Sequence, residues 1–434
     1  MSASNRTGRP GVLLTHGLSS LHGRSCEPFR RYMLEAALAE SDVWMFDAPG
    51  QTWQQSLVTG ATVVDVFDAE ASIAAALRLR ETVDILGVWG VDEATIVPAA
   101  KVAQALGLPG LDPDAATAAR DKSISRQLFR ESGVPQPQSI PVADLAEAAE
   151  AAAQVSYPLV AKPRALGSSL GVVLIHDEQE LAAGYAAAKA AKYHGTPTFE
   201  RDVLIETYID GPEISIDGYC HNGQYEPQFI AHKSLGFAPY FEEVGHTVDA
   251  ADPLMRSMEI RSVLQRAHRA LGLRDGLTHS EIRLTSAGPV LIEINGRPGG
   301  DYIPMLGKLA TGQNPLTAGV RIALGRPVGD AAPAPSPRAG AAAIHFLYPP
   351  YDCRVEGVEV GPGSESGDLG EPGATELVLQ PLVTSGVELR LPPRGYVGRW
   401  AYLMAHGASV ESCEKTITAN LDRMRLNATA LDVA

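Results

Sequence analysis

Cysteine is scarce in this sequence: four residues in 434 (Cys26, Cys220, Cys353 and Cys413), none of them in a C-x-x-C pair. That spacing excludes a disulfide scaffold or a cysteine zinc site and fits a reducing cytoplasm, where a free cysteine serves as a small buried hydrophobe. Long apolar runs are missing too. No stretch of about 18 uncharged apolar residues occurs, which excludes a transmembrane helix. The first 25 residues lack the apolar core and cleavage pattern of an export signal, so the expected location is the cytoplasm. Positive charge is short, with 36 Lys and Arg against 51 Asp and Glu and a formal net charge of −15. Such a surface repels phosphate backbones and anionic lipid, which argues against nucleic-acid and membrane partners. Any anionic ligand then needs a local cationic pocket. The loop after the first apolar run, Thr15-His16-Gly17-Leu18-Ser19-Ser20, is not a G-x-G-x-x-G turn, so a dinucleotide reading is weak. No internal repeat is present.

The chain does have the length for more than one core: 434 residues, 45% apolar and 20% charged, fit a globular protein of two to four domains. Apolar runs at 11–15, 43–46, 63–66 and 83–89 alternate with helical stretches at 27–40, 69–80 and 93–106. That alternation predicts a parallel, doubly wound sheet. A Pro/Gly-rich crossing at 107–113 leads into a helix predicted from about residue 115, carrying Arg120, Asp121 and Lys122. An α+β stretch follows, with strands at 159–162, 172–176, 203–207, 213–220 and 228–232 and a hairpin over 278–295. The run Ala331-Ala332-Pro333-Ala334-Pro335-Ser336-Pro337-Arg338 reads as a semi-rigid linker. Short strands with glycine turns and a helix from about residue 410 close the chain.

Three segments carry chemistry. In Leu159-Val160-Ala161-Lys162 followed by Pro163-Arg164-Ala165-Leu166-Gly167-Ser168-Ser169-Leu170-Gly171, a strand delivers a lysine and then a loop of small residues. Glycine lets backbone N–H groups approach an anion, the serines add donors, and the lysine supplies a point charge. The segment fits a flap closing over phosphates, or an ordinary glycine-rich hairpin with a snorkelling lysine. In the second segment, Glu206-Thr207-Tyr208-Ile209 ends a strand and Glu213 follows a Gly-Pro turn. A strand end offers backbone groups to an adenine edge, and a carboxylate accepts from two ribose hydroxyls; a hairpin with exposed acids has the same pattern. The third segment is the 278–295 hairpin. Period-2 alternation puts His279, Glu281 and Arg283 on one face, away from Ile282 and Leu284, and Glu293 and Asn295 away from Ile292 and Ile294. With the turn centred on Ala287, Glu281 faces Glu293 and His279 faces Asn295. Facing carboxylates about 5 Å apart destabilise a sheet. Divalent cations that take hard oxygen ligands, such as Mg²⁺ or Mn²⁺, remove that repulsion. A solvated polar face is the alternative.

In their order, Lys122, Lys162 with its flap, Glu206 to Glu213, and Glu281, Glu293 and Asn295 resemble the ATP-grasp superfamily over roughly residues 1–330. Within it the chain is similar to the L-amino-acid ligases that make dipeptides. That likeness is carried by His279-Ser280-Glu281-Ile282 leading into Glu293-Ile294-Asn295-Gly296-Arg297-Pro298-Gly299-Gly300, by Phe241-Glu242-Glu243-Val244-Gly245-His246, and by Ala342-Ala343-Ile344-His345-Phe346-Leu347 with Gly398-Arg399-Trp400.

The resemblance implies an α/β and α+β multidomain fold. A parallel-sheet N-terminal domain would cover 1–114 and a two-subdomain ATP-grasp fold 115–330, with the lid at roughly 120–205 and the catalytic subdomain at 206–330. A linker would occupy 331–340 and a small α+β C-terminal domain 341–434. It further implies ATP and Mg²⁺ as cofactors and small carboxylate and amine substrates (amino acids foremost); a homodimer is expected because acidic cytosolic enzymes of this size commonly pair. Lys122, Lys162, Ser168 and Ser169 would meet the phosphates, Glu206 to Ile209 the adenine, and Glu213 the ribose. Glu281, Glu293 and Asn295 would hold the metal. Arg297 would grip the reacting carboxylate, with Glu243, His246, Gly300 and Asp301 at the amino-acid site and Glu243 as the first candidate base. Asp249 stands where relatives often carry proline, and Asp301 where some place a bulky apolar residue, which implies a polar pocket. The rival readings are an ATP-grasp carboxylase using bicarbonate and a non-catalytic ATP-binding protein.

Overall fold

The computed structural model describes residues 11–17, 27–48, 53–193, 195–330, 339–361 and 375–431. Cys26 and the Pro-rich run 331–338 lie outside them. The chain opens with β1 (Gly11–His16), α1 (Glu27–Leu38), β2 (Val43–Asp47), β3 (Gly60–Val63), α2 (Ala69–Leu79), β4 (Asp84–Gly90) and α3 (Ile96–Leu106). The four strands pair in parallel in the order β3-β2-β1-β4, as the alternation predicts. Val12, Leu13 and Leu14 are all fully buried, because helices cover both faces of a parallel sheet. Two boundaries differ from the sequence reading. The third strand lies three residues early, since a glycine must oppose Trp44: a Cβ on Gly60 would fall 2.5 Å from the indole. Helix α3 starts at Ile96 because Asp92–Thr95 closes a turn, Thr95 N–H to the Asp92 carbonyl. That turn keeps Glu93 out of the helix, at the carboxyl end of β4 where open α/β sheets meet ligands.

The helix predicted from residue 115 is instead two, α4 (Pro113–Arg120) and α5 (Lys122–Glu131). Asp121 breaks them. Its backbone is extended, and its carboxylate accepts from the Ser123 and Ile124 N–H groups and from Arg164 at 2.7 and 2.6 Å. A capping acid thus forces a fresh start and places Lys122 in a first turn, its N–H donated to the Arg164 carbonyl.

A second sheet follows, built by β5 (Ser139–Val142), α6 (Leu145–Val155), β6 (Leu159–Pro163), β7 (Val173–Ile175), α7 (Glu178–Ala190) and β8 (Val203–Thr207). Its antiparallel order is β5-β8-β6-β7. Next come β9 (Glu213–His221), β10 (Gln224–Gly236), β11 (Glu242–Asp249), α8 (Met258–Ala270), β12 (Gly276–Thr285), β13 (Gly288–Asn295), α9 (Ile303–Thr311) and α10 (Pro315–Ala323). The chain closes with β14 (Ala341–Leu347), β15 (Cys353–Val360), β16 (Glu376–Pro381), β17 (Glu388–Leu389), β18 (Ala401–Gly407), α11 (Val410–Thr418) and β19 (Met424–Ala430).

Eight of these strands make one antiparallel sheet, β13-β12-β9-β10-β11-β14-β18-β16, so the C-terminal strands extend the sheet that carries the hairpin. A small sheet, β17-β15-β19, flanks it. One buried cluster joins Leu34 of α1 and Leu306 of α9 to Phe229, Phe346 and Tyr402 of the large sheet, fixing the N-terminal layer against it. The second sheet is seated on the body by an antiparallel bridge, Val173 to Tyr240. No described helix is long and apolar enough to cross a membrane.

Candidate functional site

The cleft lies between the second sheet, with its 164–172 connection, and the strands β9 to β13 of the large sheet. The hairpin register places Glu281 opposite Glu293 and His279 opposite Asn295. A feature invisible in the sequence produces that pairing. At the turn Thr285 pairs with Gly288, one step out of phase, and a bulge between Glu281 and Ile282 restores the alignment. A bulge turns two consecutive side chains the same way, so Ile292, which strict alternation puts on the opposite face, lines the cleft beside Glu293. Ile282 and Leu291 stay in the core behind them.

Both acids are charged. Burial opposes ionisation, but Lys233 and His279 hold Glu281 well below the usual carboxylate range. Lys122 and Lys162 likewise hold Glu293 down, against the repulsion of Glu281. Asn295 uses its Nδ2 on Glu293 Oε1 at 2.7 Å, which leaves Oδ1 as its remaining polar atom. Two opposed carboxylates and an amide oxygen are the hard donors that Mg²⁺ takes, so the residues present fit such an ion.

Three lysines surround these acids. Lys122 Nζ lies 3.1 Å from Glu293 and donates to the Leu166 carbonyl of the flap at 2.6 Å. Lys162, at the end of β6, lies 2.6 Å from Glu206. The third is Lys233 of β10, absent from the sequence reading. Its ammonium, 1% exposed, sits 3.1 Å from Glu213, 3.2 Å from Glu243 and 2.6 Å from Glu281. Burial alone would discharge it, but the three carboxylates outweigh burial and keep it protonated well above the usual lysine range. Ser168 and Ser169 of the flap also line the cleft, and their φ of 57° and 54° puts both in the left-handed region, where a side chain is costly.

At the other end, Thr207, Tyr208, Ile209 and Phe241 line the cleft. Arg283 lies 5.4 Å from both the Tyr208 and Phe241 ring centres and pairs with Glu213 at 3.0 Å. Glu206 is 3% exposed, and its carboxylate is taken up by Lys162 and by Arg126 at 2.7 Å. It lines this end of the cleft with its carboxylate committed to those two cations.

Glu206 also has a measurable signature. Burial raises its pKa, yet Arg126 and Lys162 bring it down to about 2. A depressed carboxylate contributes stability that is present above its unfolded value near 4.5 and lost as pH falls through 2. The loss of stability between pH 5 and pH 3, read by urea unfolding, is therefore expected to be smaller by about 2 kcal/mol in Glu206→Gln, itself less stable throughout, than in the wild type.

Asp217 connects hairpin and loop. Fully buried on β9, it lies 2.5 Å from His279 Nδ1 and accepts from the Gly299 N–H at 3.0 Å. Burial lowers the His279 pKa, but Asp217 and Glu281 raise it to about 9. A Cβ at residue 299 would fall 2.8 Å from Asp217 Oδ1 and 2.9 Å from His279 Nδ1. Gly299→Ala is therefore expected to cost about 1–3 kcal/mol in urea unfolding, while an alanine at solvent-open Gly300 costs less.

Gly300 and Asp301 line the cleft. Asp301 forms a two-point ion pair with buried Arg399 at 2.6 and 2.7 Å, and Arg399 also donates to the Glu243 carbonyl at 2.8 Å. The C-terminal residues thus complete the site wall. Glu243 faces the cleft, but His246 does not: it is fully buried and lies 3.2 Å from Glu243 and 3.5 Å from Asp301. This changes the expected role of His246 to positioning those two acids, since a ligand contact needs an open atom.

The N-terminal layer contributes as well. Glu93, held out of α3, pairs with Arg297 at 2.6 Å, and Arg297 lines the cleft beside Gly167. Neither Glu93 nor Lys233 has a neighbour in sequence that would have marked it, and Arg399 enters the sequence reading only through the Gly398-Arg399-Trp400 likeness, without a role.

Comparison with known proteins agrees with this geometry. The ATP-grasp domain family matches residues 155–304. The Sinorhizobium fredii protein y4rH is 30% identical over 315 residues, covering 70% of this chain and 62% of that one. The alanine–anticapsin ligase of Bacillus subtilis is 30% identical over 255 residues, covering 53% of this chain and 54% of the relative. This chain therefore spans only about half to three-fifths of the length of those relatives. Among solved structures, an L-amino acid ligase from Bacillus licheniformis superposes with a TM-score of 0.77 at 21% identity, covering 98% of this chain and all of that one, a likeness of fold. Residues 155–304 therefore form an ATP-grasp domain, within a chain that has the fold of that L-amino acid ligase structure.

Proposed function

We propose that this protein is an ATP-dependent carboxylate–amine ligase acting on amino acids. One observation carries the reading. A single cleft gathers a glycine-rich flap, two lysines, an opposed acid pair with Lys233 buried behind it and an arginine, and adds the acids Glu243 and Asp301 at its far end. The relatives named as alanine–anticapsin ligase and D-alanine–D-alanine ligase support the same class.

In this reading Lys122 and Lys162 meet the ATP phosphates beneath the Ser168–Ser169 flap. The adenine lies along Thr207–Ile209 and Phe241, and the ribose beside Glu213. Glu281, Glu293 and Asn295 hold Mg²⁺, which supplies charge neutralisation on the phosphates when bound. A carboxylate oxygen of the first substrate, oriented by Arg297, attacks the γ-phosphorus, and ADP departs. The amine nitrogen of the second substrate then attacks the acyl carbon. Phosphate leaves with the C–O electron pair, and Glu243 stands closest in role to a proton acceptor. Lys233, enclosed by Glu213, Glu243 and Glu281, keeps those acids charged and in place behind the cleft. The closed flap keeps water from the acyl phosphate. The nucleotide is thus gripped between the 120–205 lid and the 206–330 subdomain, with residues 341–434 closing the substrate end through Arg399.

The test is ADP release across pairs of amino acids, with products read by mass spectrometry. Release that needs both a carboxylate and an amine, with an amide product, is expected. Release with bicarbonate alone would favour the carboxylase reading, and none with any acid would remove the ligase reading.

A further inference from the structure

Arg283 is a buried cation at the nucleotide end of the cleft that the reaction scheme leaves without a role. It is 7% exposed on β12 and lines the cleft with Tyr208, Ile209, Glu213 and Phe241. Its contacts fall into two sets. Nε donates to Glu213 Oε2 at 3.0 Å, an oxygen that Nη2 also approaches at 3.0 Å. Nη1 donates to the Ile209 carbonyl at 3.0 Å and to the Tyr208 hydroxyl at 3.3 Å. Balancing Glu213 uses only the first set, and Lys233 already stands 3.1 Å from the other oxygen of that carboxylate. The second set ties down backbone.

That backbone is the 208–212 connection from β8 of the second sheet to β9 of the large sheet. The Leu284 N–H donates to the Pro212 carbonyl at 2.9 Å, and a Cβ on Gly211 would fall 2.2 Å from the Leu284 carbonyl. The connection thus lies hard against β12, held by Leu284 at one end and by Arg283 at the other. The peptide carrying the Ile209 oxygen cannot turn without breaking a charge-assisted hydrogen bond in a nearly dry site. This leaves the N–H as the group that Ile209 offers to a base. An N–H matches N1 of adenine, which accepts a hydrogen bond. It opposes N1 of guanine or hypoxanthine, which carries a hydrogen and donates, and two facing donors both go unpaired.

Resting on the nucleotide placement in the ligase reading, we propose that Arg283 sets the base specificity of the site: by keeping the Ile209 carbonyl on its own guanidinium, it admits adenine and rejects 6-oxopurines. It is a positioning residue, since it acts through the backbone at Ile209. A planar fork of donors reaches Glu213 and Ile209 together, whereas an ammonium is a point charge and serves one of them. Once the guanidinium is lost, the 209–210 peptide is free to rotate and present an acceptor to an N1–H.

Nucleotide binding tests this without turnover. Calorimetric titration with ADP, inosine diphosphate and GDP, each with Mg²⁺, should show ADP bound about tenfold or more tighter than either 6-oxopurine by the wild type. Arg283→Met should weaken ADP and bring the ratio of ADP to inosine diphosphate affinity within about threefold of unity. Arg283→Lys keeps a charge beside Glu213 and should still lose most of the preference, which separates base selection from charge balance. It also carries the test if thermal unfolding shows that Arg283→Met does not fold. Equal binding of ADP and inosine diphosphate by the wild type, or a wild-type ratio retained in either variant, would overturn the proposal, and binding of no nucleotide would overturn it together with the ligase reading. A protein that selects ADP but makes no amide would lose the ligase reading alone. One that makes amide equally well with ATP and inosine triphosphate would lose this proposal alone.

Discussion

Glu293→Gln is expected to lower ligase turnover by about 10²–10³-fold, the range seen when one group aimed at developing charge is removed. The substitution keeps the shape of the side chain and its contact with Asn295 Nδ2, but it removes the charge opposed to Glu281. The site then loses half of the anionic pair that fits Mg²⁺, while Lys122 loses its ion-pair partner at 3.1 Å. Steady-state ADP release at varied Mg²⁺ checks this. The apparent Mg²⁺ requirement should rise along with the loss of kcat, since hard-ion affinity follows ligand charge. Unchanged turnover at low Mg²⁺ would remove Glu293 from the metal site. Lowered turnover with an unaltered Mg²⁺ requirement would limit Glu293 to positioning Lys122.

Lys233→Met should show the second large effect, in stability as well as rate. Methionine fills the volume of the lysine stem but leaves Glu213, Glu243 and Glu281 without the ammonium that lies within 3.2 Å of each. Removing one member of a buried ion cluster costs about 3–5 kcal/mol, because the remaining charge has no compensation. Arg283 still pairs with Glu213 and His279 with Glu281, which keeps the loss toward the lower figure. Urea unfolding followed by circular dichroism measures it. The double variant Lys233→Met/Glu281→Gln should recover part of the stability lost in the single variant, since one stranded charge is gone, but none of the activity. A single variant as stable as the wild type would mean that the three acids take up protons instead of remaining charged.

The sequence already contained much of this site because the chemistry is periodic there. His279, Glu281 and Arg283 alternate with core residues on a strand, and period 2 alone assigns their faces. The small residues of 164–171 announce a flap in the same local way. The parallel N-terminal sheet follows from strands alternating with helices. What escaped is long-range. Lys233 sits in a strand among mixed polar residues and looks like any solvated lysine until β9 and β12 bring Glu213 and Glu281 to it. Glu93 and Arg297 are 204 residues apart, and Asp301 and Arg399 are 98 apart, so no spacing rule joins them. Strand β11 was unread because Glu242, Glu243 and His246 break its apolar pattern; Glu243 turns toward the cleft, while Glu242 and His246 are buried beside it. The break at Asp121 and the bulge beside Ile292 are backbone events, each caused by a hydrogen bond or register that only the folded chain supplies.

An oxygen-label experiment bears most directly on the acyl phosphate at the centre of this reading. With the carboxylate substrate carrying ¹⁸O, transfer of phosphate to that carboxylate must move one labelled oxygen into the inorganic phosphate released as the amide forms. Mass spectrometry of the phosphate should therefore find one ¹⁸O per turnover. Amide product accompanied by unlabelled phosphate would mean that the carboxylate is never phosphorylated.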